Sequence, residues 1–187
     1  MDSQKVAVFD FDGTIVSKDT GFAFYKWLVL QSKFRTLLML MMFPLLFLLL
    51  LSKYTRIFGL SLATVIATYA ERRELSSLQH AFIEHYFNRG GAVVYQDALA
   101  QINAHQQKAQ PVLILSGCPQ WLLQTVVSYL GIKNVEVIGS QQQQTQLGLI
   151  FTAHCFAENK IANAKDGGVV GIITSHSFID NPTFRAM

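Results

Sequence analysis

Residues 5–14 read KVAVFDFDGT, and the fold turns on them. The first seven are β-branched, aromatic and apolar apart from one aspartate and a leading lysine. They break at Asp12-Gly13-Thr14, so the stretch reads as a buried strand opening into a loop. Asp10 and Asp12 lie two positions apart at the carboxyl end, which sends both side chains out on one face. Two carboxylates so placed repel each other unless a cation or a shared proton stabilises them. A hard divalent ion does this, and Mg²⁺ is typically held by one or two carboxylates together with phosphate oxygens. The pair can then divide the work, Asp10 attacking phosphorus while Asp12 protonates the leaving oxygen and later activates water. A lone Asp-Gly would be a turn cap; the whole string directly after an apolar strand is far more specific.

Further strand-like runs follow at residues 111–115 (PVLIL, ending at Ser116-Gly117), 135–138 (ending at Gly139-Ser140) and 169–174. Helical spacing covers 120–129 and stops at Gly131. Residues 145–156, with Gly148 at the middle, read as a hairpin or flap, and a short helix is expected at about 157–165. The amide run 141–144 is placed in a loop. Strands alternating with helices imply an α/β fold with a doubly wound parallel sheet, whose ligands bind outside the carboxyl ends of the strands. The expected core is discontinuous, residues 1–16 plus 111–187, interrupted by a helical cap at 17–110.

Within that cap, residues 37–51 read LLMLMMFPLLFLLLL, without one polar side chain. A 15-residue helix reaches about 22 Å, short of the roughly 30 Å hydrocarbon core. Pro44 sits in its middle, and the basic flanks, Lys33 and Arg35 before it and Lys53 and Arg56 after it, both favour the cytoplasm. The expected arrangement is a segment that dips into one leaflet and returns, or lies in the interface. A second uncharged stretch, 57–70, could pair with it, although Ser61, Thr64 and Thr68 suit an ordinary cap helix equally well. Tyr25 and Trp27 fit a membrane interface or core packing, and Arg72 and Arg73 an anionic headgroup or a solvated face.

Composition agrees with lipid contact: of 187 residues, 51% are apolar and 14% charged, with a mean hydropathy of +0.30. That is more apolar and less charged than an average soluble domain. The net charge of +3 is scattered rather than striped, so nucleic acid is not expected as a partner. Cys118 and Cys155 are far apart and lack metal-ligand spacing, which argues against a disulfide framework or a zinc site. His80, His85 and His105 have no H-E-x-x-H spacing and read as solvated or structural. No secretory signal opens the sequence, so the N-terminus is expected to stay inside.

The string Asp10-Phe11-Asp12-Gly13-Thr14 resembles DxDGT, the first motif of the haloacid dehalogenase phosphatases. That resemblance implies Asp10 as nucleophile, Asp12 as acid and base, and the Phe11 carbonyl on the metal. It implies further that Gly13, Thr14, Ser116, Gly117 and Lys160 hold the phosphoryl group. Ser116 is similar to the second motif and Lys160, in Glu158-Asn159-Lys160, to the third. The fourth motif usually carries D-x-x-x-D, with its first acid on Mg²⁺. Here the string runs Ser175-His176-Ser177-Phe178-Ile179-Asp180, so Asp180 joins Asp10 and Asp12 as the expected metal ligands. His176 is either a softer ligand, which would favour Mn²⁺, or a packing residue. Met187 follows soon after, where the family pattern has another strand and helix, as in a shortened member or an incomplete chain.

A cap between motifs one and two is the pattern of subfamily IB, the phosphoserine phosphatase-like group, which also includes the phosphatidylglycerophosphatase C lipid phosphatases. The apolar cap segment, the string from Cys155 to Lys160, and Asn181-Pro182 resemble the latter. The implied activity is Mg²⁺-dependent hydrolysis of phosphatidylglycerophosphate in phospholipid synthesis, on the cytoplasmic side of the inner membrane if the source is bacterial and otherwise in the cytoplasm. The alternatives are a soluble small phosphomonoester as substrate, or a noncatalytic member that binds phosphorylated ligands.

Overall fold

The computed structural model describes residues 6–153 and 155 and the backbone of 170–173. Five strands form one sheet in the order β4-β3-β2-β1-β5, with β1 at Val6–Asp10, β2 at Val112–Pro119, β3 at Glu136–Gln144, β4 at Leu149–Ala153 and β5 at Val170–Ile173. β1, β2, β3 and β5 run parallel, and β4 is antiparallel to β3. The α/β expectation holds, and β5 falls where the fourth strand was read.

β1 and β2 are buried on both faces, which explains why they read as continuous apolar runs. Ala7, Phe9, Val112 and Ile114 point into the main cluster with Phe24, Phe82, Ile102 and Leu122. Val8, Leu113 and Leu115 alternate to the other face, with Val6 and Ile138 packed against them. Helix α6 (Gln120–Tyr129) has the bounds its periodicity predicts, and Gly131 beyond it takes a positive φ of 70°.

β3 is longer than expected. The amide run at 141–144 is not a loop but the outer half of β3, paired with β4 across the turn at Gly148. No apolar period announces it, because it is held by backbone pairing with β4 and by the polar side chain of Gln142, which accepts from Tyr25 and Trp121.

Between β1 and β2 lie α1 (Thr20–Leu30), α2 (Lys33–Leu51), α3 (Arg56–Thr68), α4 (Leu75–Glu84), a π-helix (His85–Arg89) and α5 (Gln96–Gln107). α2 has 19 residues and continues through Pro44. It therefore spans about 28 Å rather than 22 Å.

α3 packs on α2 as a helical hairpin and also covers β4. Its three hydroxyls meet that strand's open backbone edge: Phe151 N–H donates to Ser61 at 3.1 Å, Thr64 donates to the Leu149 carbonyl at 2.7 Å, and Leu149 N–H donates to Thr68 at 3.0 Å. Spaced three and four apart, these residues share one helix face. They satisfy an edge that would otherwise invite pairing.

Arg35, counted in sequence as a basic flank of the apolar run, is instead buried. It donates to the Ala67 carbonyl and to Glu71, each at 3.0 Å. Arg73 completes the group, pairing with Glu71 at 2.8 Å and lying 5.8 Å over the Trp27 ring. Trp27 packs against Phe24, Phe82 and His85, and Tyr25 donates to Gln142. Both aromatic residues are partly buried and packed against the core. His80 is solvated and bonds the Ser76 carbonyl of its own helix, whereas His85 stacks on Trp27 and His105 bonds Gln110 and meets the edge of Phe9.

Candidate active site

β1 ends at Asp10, in register with Leu115 of β2, and β2 runs on to Pro119, so Ser116 and Gly117 lie inside that strand and not after it, beside the loop that follows β1. Phe11 is fully buried between two partly buried aspartates, the alternation that puts both carboxylates on one side. Phe11 N–H donates to Leu115 O at 3.0 Å, which carries the pairing one residue past the strand. The chain then reverses at Gly13, whose φ of +77° is the left-handed region that favours glycine. Gly13 N–H donates to Val16 O at 2.7 Å and closes the loop.

This loop delivers Asp12 to Ser116. The Ser116 hydroxyl donates to Oδ2 of Asp12 and accepts the Cys118 N–H at 2.8 Å. Oδ1 of Asp12 accepts the N–H of Thr20 at 2.8 Å. Burial pushes the Asp12 carboxyl above its ordinary value, opposed by the hydrogen bonds from Ser116 and Thr20. A raised carboxyl is suited to hold a proton and then give it up. Asp10 accepts the N–H of Phe11 at Oδ1.

Behind Ser116 the structure is tied to β3 and the flap. Ser140 donates to Gly117 O at 2.8 Å and accepts the Cys155 N–H at 3.0 Å. Thr14 is buried, and its hydroxyl has no hydrogen-bond partner among the described residues. An orphaned polar group beside the aspartate loop is one that a bound oxyanion or water would satisfy.

A model of the haloacid dehalogenase-like hydrolase family matches residues 7–169. The chain belongs to this family. Among solved structures, a protein of unknown function from Bordetella pertussis Tohama I is similar, at a TM-score of 0.62 and 12% identity over 88% of this chain and 74% of that one. A phosphoserine phosphohydrolase-like protein from Francisella tularensis is similar at 0.56 and 16% identity, over 91% and 76%. A phospho-aspartyl intermediate analogue of phosphoserine phosphatase is similar at 0.54 and 12% identity, over 92% and 78%. These likenesses show the fold. A search of curated proteins found no significant match.

In this hydrolase the sequence-derived residues Asp10, Asp12, Gly13, Thr14, Ser116 and Gly117 are gathered at the ends of two adjacent strands. Lys160, His176 and Asp180 lie outside the described residues. Among the described residues no group of three or more His, Cys, Asp or Glu could hold a metal ion. The two aspartates bring an oxygen-only donor set, which fits a hard cation such as Mg²⁺ that takes its remaining ligands from water and phosphate.

Sequence reasoning missed Asp19, Thr20 and Tyr86. Asp19 caps α1 by accepting Phe22 N–H at 2.7 Å, and an acid directly before an apolar helical run is a helix-start signal that could have located it. Nothing local marks Tyr86.

Proposed function

We propose that this hydrolase cleaves phosphomonoesters through an aspartyl-phosphate on Asp10. The Asp10 carboxylate attacks phosphorus, the bond to the leaving oxygen breaks, and Asp12 supplies the proton that oxygen needs. Water then attacks the phosphoryl-enzyme as Asp12 takes its proton back, and Asp10 is released with inorganic phosphate. The observation that carries this reading is Asp12 itself: a buried carboxyl bonded at both oxygens, by Thr20 and Ser116, beside a second aspartate. Ser116, the backbone N–H groups around Gly117, and Lys160 would hold the phosphoryl oxygens. Mg²⁺, with Mn²⁺ as the alternative, would be held by Asp10 and Asp180, with the Asp12 carboxyl kept for the proton, and would offset the charge gathered there.

The substrate in this reading is phosphatidylglycerophosphate, met at the cytoplasmic face of a membrane. Support comes from α2, where only Arg35 and Leu46 are buried and the best apolar window has a mean hydropathy of 2.3. Leu37, Leu40, Met41, Phe43, Phe47 and Leu48 are each more than half exposed. An exposed apolar surface of this kind marks a partner or a membrane. A bilayer also supplies the substrate. The likeness in fold to phosphoserine phosphatases favours the second reading, a small soluble phosphomonoester.

The test is phosphate release from phosphatidylglycerophosphate in mixed micelles, with and without Mg²⁺, beside Asp10→Asn and a panel of soluble esters. Metal-dependent release that prefers the lipid and vanishes in the variant is expected. Preference for a soluble ester would keep the chemistry and remove the lipid, and no release from any ester would favour a ligand-binding role.

A further inference from the structure

Tyr86 sits on the π-helix and is 1% exposed, yet its hydroxyl reaches the turn that carries Thr20. π-helical turns are rare and occur frequently at functional sites. Here the wider turn closes with Gly90 N–H on His85 O at 2.6 Å, and Ala92 N–H returns to Tyr86 O at 3.1 Å. The segment after it is strapped to the loop that follows the aspartates. Lys18 donates through Nζ to Gly90 O, Ser17 N–H to Val93 O at 2.9 Å, and Val93 N–H to the Ser17 hydroxyl at 2.9 Å.

The proton count at Tyr86 fixes the direction of its bonds. Its oxygen lies 2.8 Å from the carbonyl of Lys18, which can only accept, so the phenol hydrogen is spent there. The same oxygen lies 3.1 Å from Oγ1 of Thr20. With the phenol hydrogen committed, Thr20 must be the donor. Tyr86 therefore grips residues 18 and 20 on either side of Asp19. Thr20 is fully buried, and its N–H is the group that meets Oδ1 of Asp12 at 2.8 Å. With Ser116 on Oδ2, the carboxyl plane of Asp12 is held at both ends.

We propose that Tyr86 is a positioning residue that, through Thr20, holds the Asp12 carboxyl aimed at the leaving oxygen. This rests on the reading of Asp12 as the proton donor. Phe24, Phe82 and Phe87 surround the Tyr86 ring or its neighbours, so the ring alone would fill the space. The hydroxyl is then what remains to be explained.

The experiment compares two esters. An alkyl phosphate expels an alkoxide that must be protonated, whereas p-nitrophenyl phosphate expels a stabilised anion that needs no proton. Tyr86→Phe should lower kcat/KM, which reports formation of the phosphoryl-enzyme and not the later water step common to both esters, about tenfold more on the alkyl ester than on the aryl ester, a part of the 10²–10⁴ that general acids contribute. Thr20→Val, which breaks the same link while keeping the backbone N–H, should show the same selectivity, and Thr20→Ser should restore it. The double variant should be no worse than either single one, since both cut one chain of contacts. Equal losses on the two esters in both variants, or none, overturn the proposal. Asp12→Asn separates the layers: selective loss there without it in Tyr86→Phe and Thr20→Val removes only the positioning role, while no selectivity in Asp12→Asn removes the proton-donor reading and the proposal with it.

Discussion

Ser116 donates its hydroxyl hydrogen to Asp12 across a sequence separation of 104 residues, and this bond joins the loop after β1 to the carboxyl half of β2. The hydroxyl is fully buried and also accepts the N–H of Cys118. It is satisfied on both sides before any ligand arrives. To meet a phosphoryl oxygen with its proton, Ser116 must let go of Asp12, so binding and the freeing of the acid are coupled at a single atom.

Ser116→Ala is therefore expected to act twice. Turnover should fall by about 10²-fold, the usual cost of one preorganised donor at developing negative charge. Stability should fall by about 1–3 kcal/mol, because the Cys118 N–H would be left buried and unpaired. Steady-state kinetics and a thermal melt of the same preparation check both. A variant that melts earlier but turns over normally would remove Ser116 from the chemistry.

Gly139 makes the second prediction. A Cβ there would lie 2.7 Å from Cys118 O and 2.9 Å from the Cα of Gln120, both backbone atoms that cannot swing aside. Gly139→Ala must push β3 away from the Ser116–Pro119 stretch, at about 1–3 kcal/mol. Since Ser140 holds Gly117 O from the same strand, activity should fall along with the melting temperature. Full activity with a lowered melting point would show that the Ser140 contact is dispensable.

Legibility followed locality. The aspartate loop was readable because its strand, its turn glycine and its acids are consecutive, and α6 because its apolar period lies on one face. The outer half of β3 was not, because residues 141–144 are all glutamine and take their place from the backbone of β4. Arg35 looked like a free flank of α2 since its partner, Glu71, lies 36 residues on. Thr20 and Tyr86 meet only after α1 and the π-helix have docked on the sheet. An apolar run states that water is unwelcome, but not how long its helix will be, and α2 gained four residues at its polar N-terminal end from Ser32 capping.

Glu71 gives a pH dependence with a definite sign. Hydrogen bonds from Arg73 first, then from Arg35, hold its carboxyl down at about 2 from an ordinary value of 4.5, against burial that raises it. A depressed acid contributes stability that is fully present above about 4.5 and is lost as pH falls towards 2. Glu71→Gln should cost about 2–3 kcal/mol at neutral pH, chiefly by leaving Arg35 buried without its counter-charge, with the exposed Arg73 contributing little. The gap between variant and wild type should narrow on acidification. Urea unfolding at pH 6 and pH 3, followed by the fluorescence of Trp27 and Trp121, measures it; a gap independent of pH would show that charge at Glu71 contributes nothing.

The last prediction concerns α2. Leu40, Phe43 and Phe47 lie three and four residues apart, 67%, 61% and 53% exposed, with the two phenyl rings stacked at 6.3 Å. In water this stripe gains nothing from the fold, whereas each large apolar side chain moved into hydrocarbon gains about 1.5–3 kcal/mol. Replacing all three by glutamine keeps helix propensity and touches no buried residue, so the melting temperature in detergent-free buffer should hold or rise. Partition onto phosphatidylglycerol vesicles should fall by about 100-fold or more, and turnover of a soluble aryl phosphate should not change. Activity on micellar phosphatidylglycerophosphate should drop through KM with kcat preserved, because the stripe supplies encounter and not chemistry. If the triple variant still sediments with vesicles, α2 is not the membrane contact; if it instead changes oligomeric state, the stripe is a surface for a second copy of the chain.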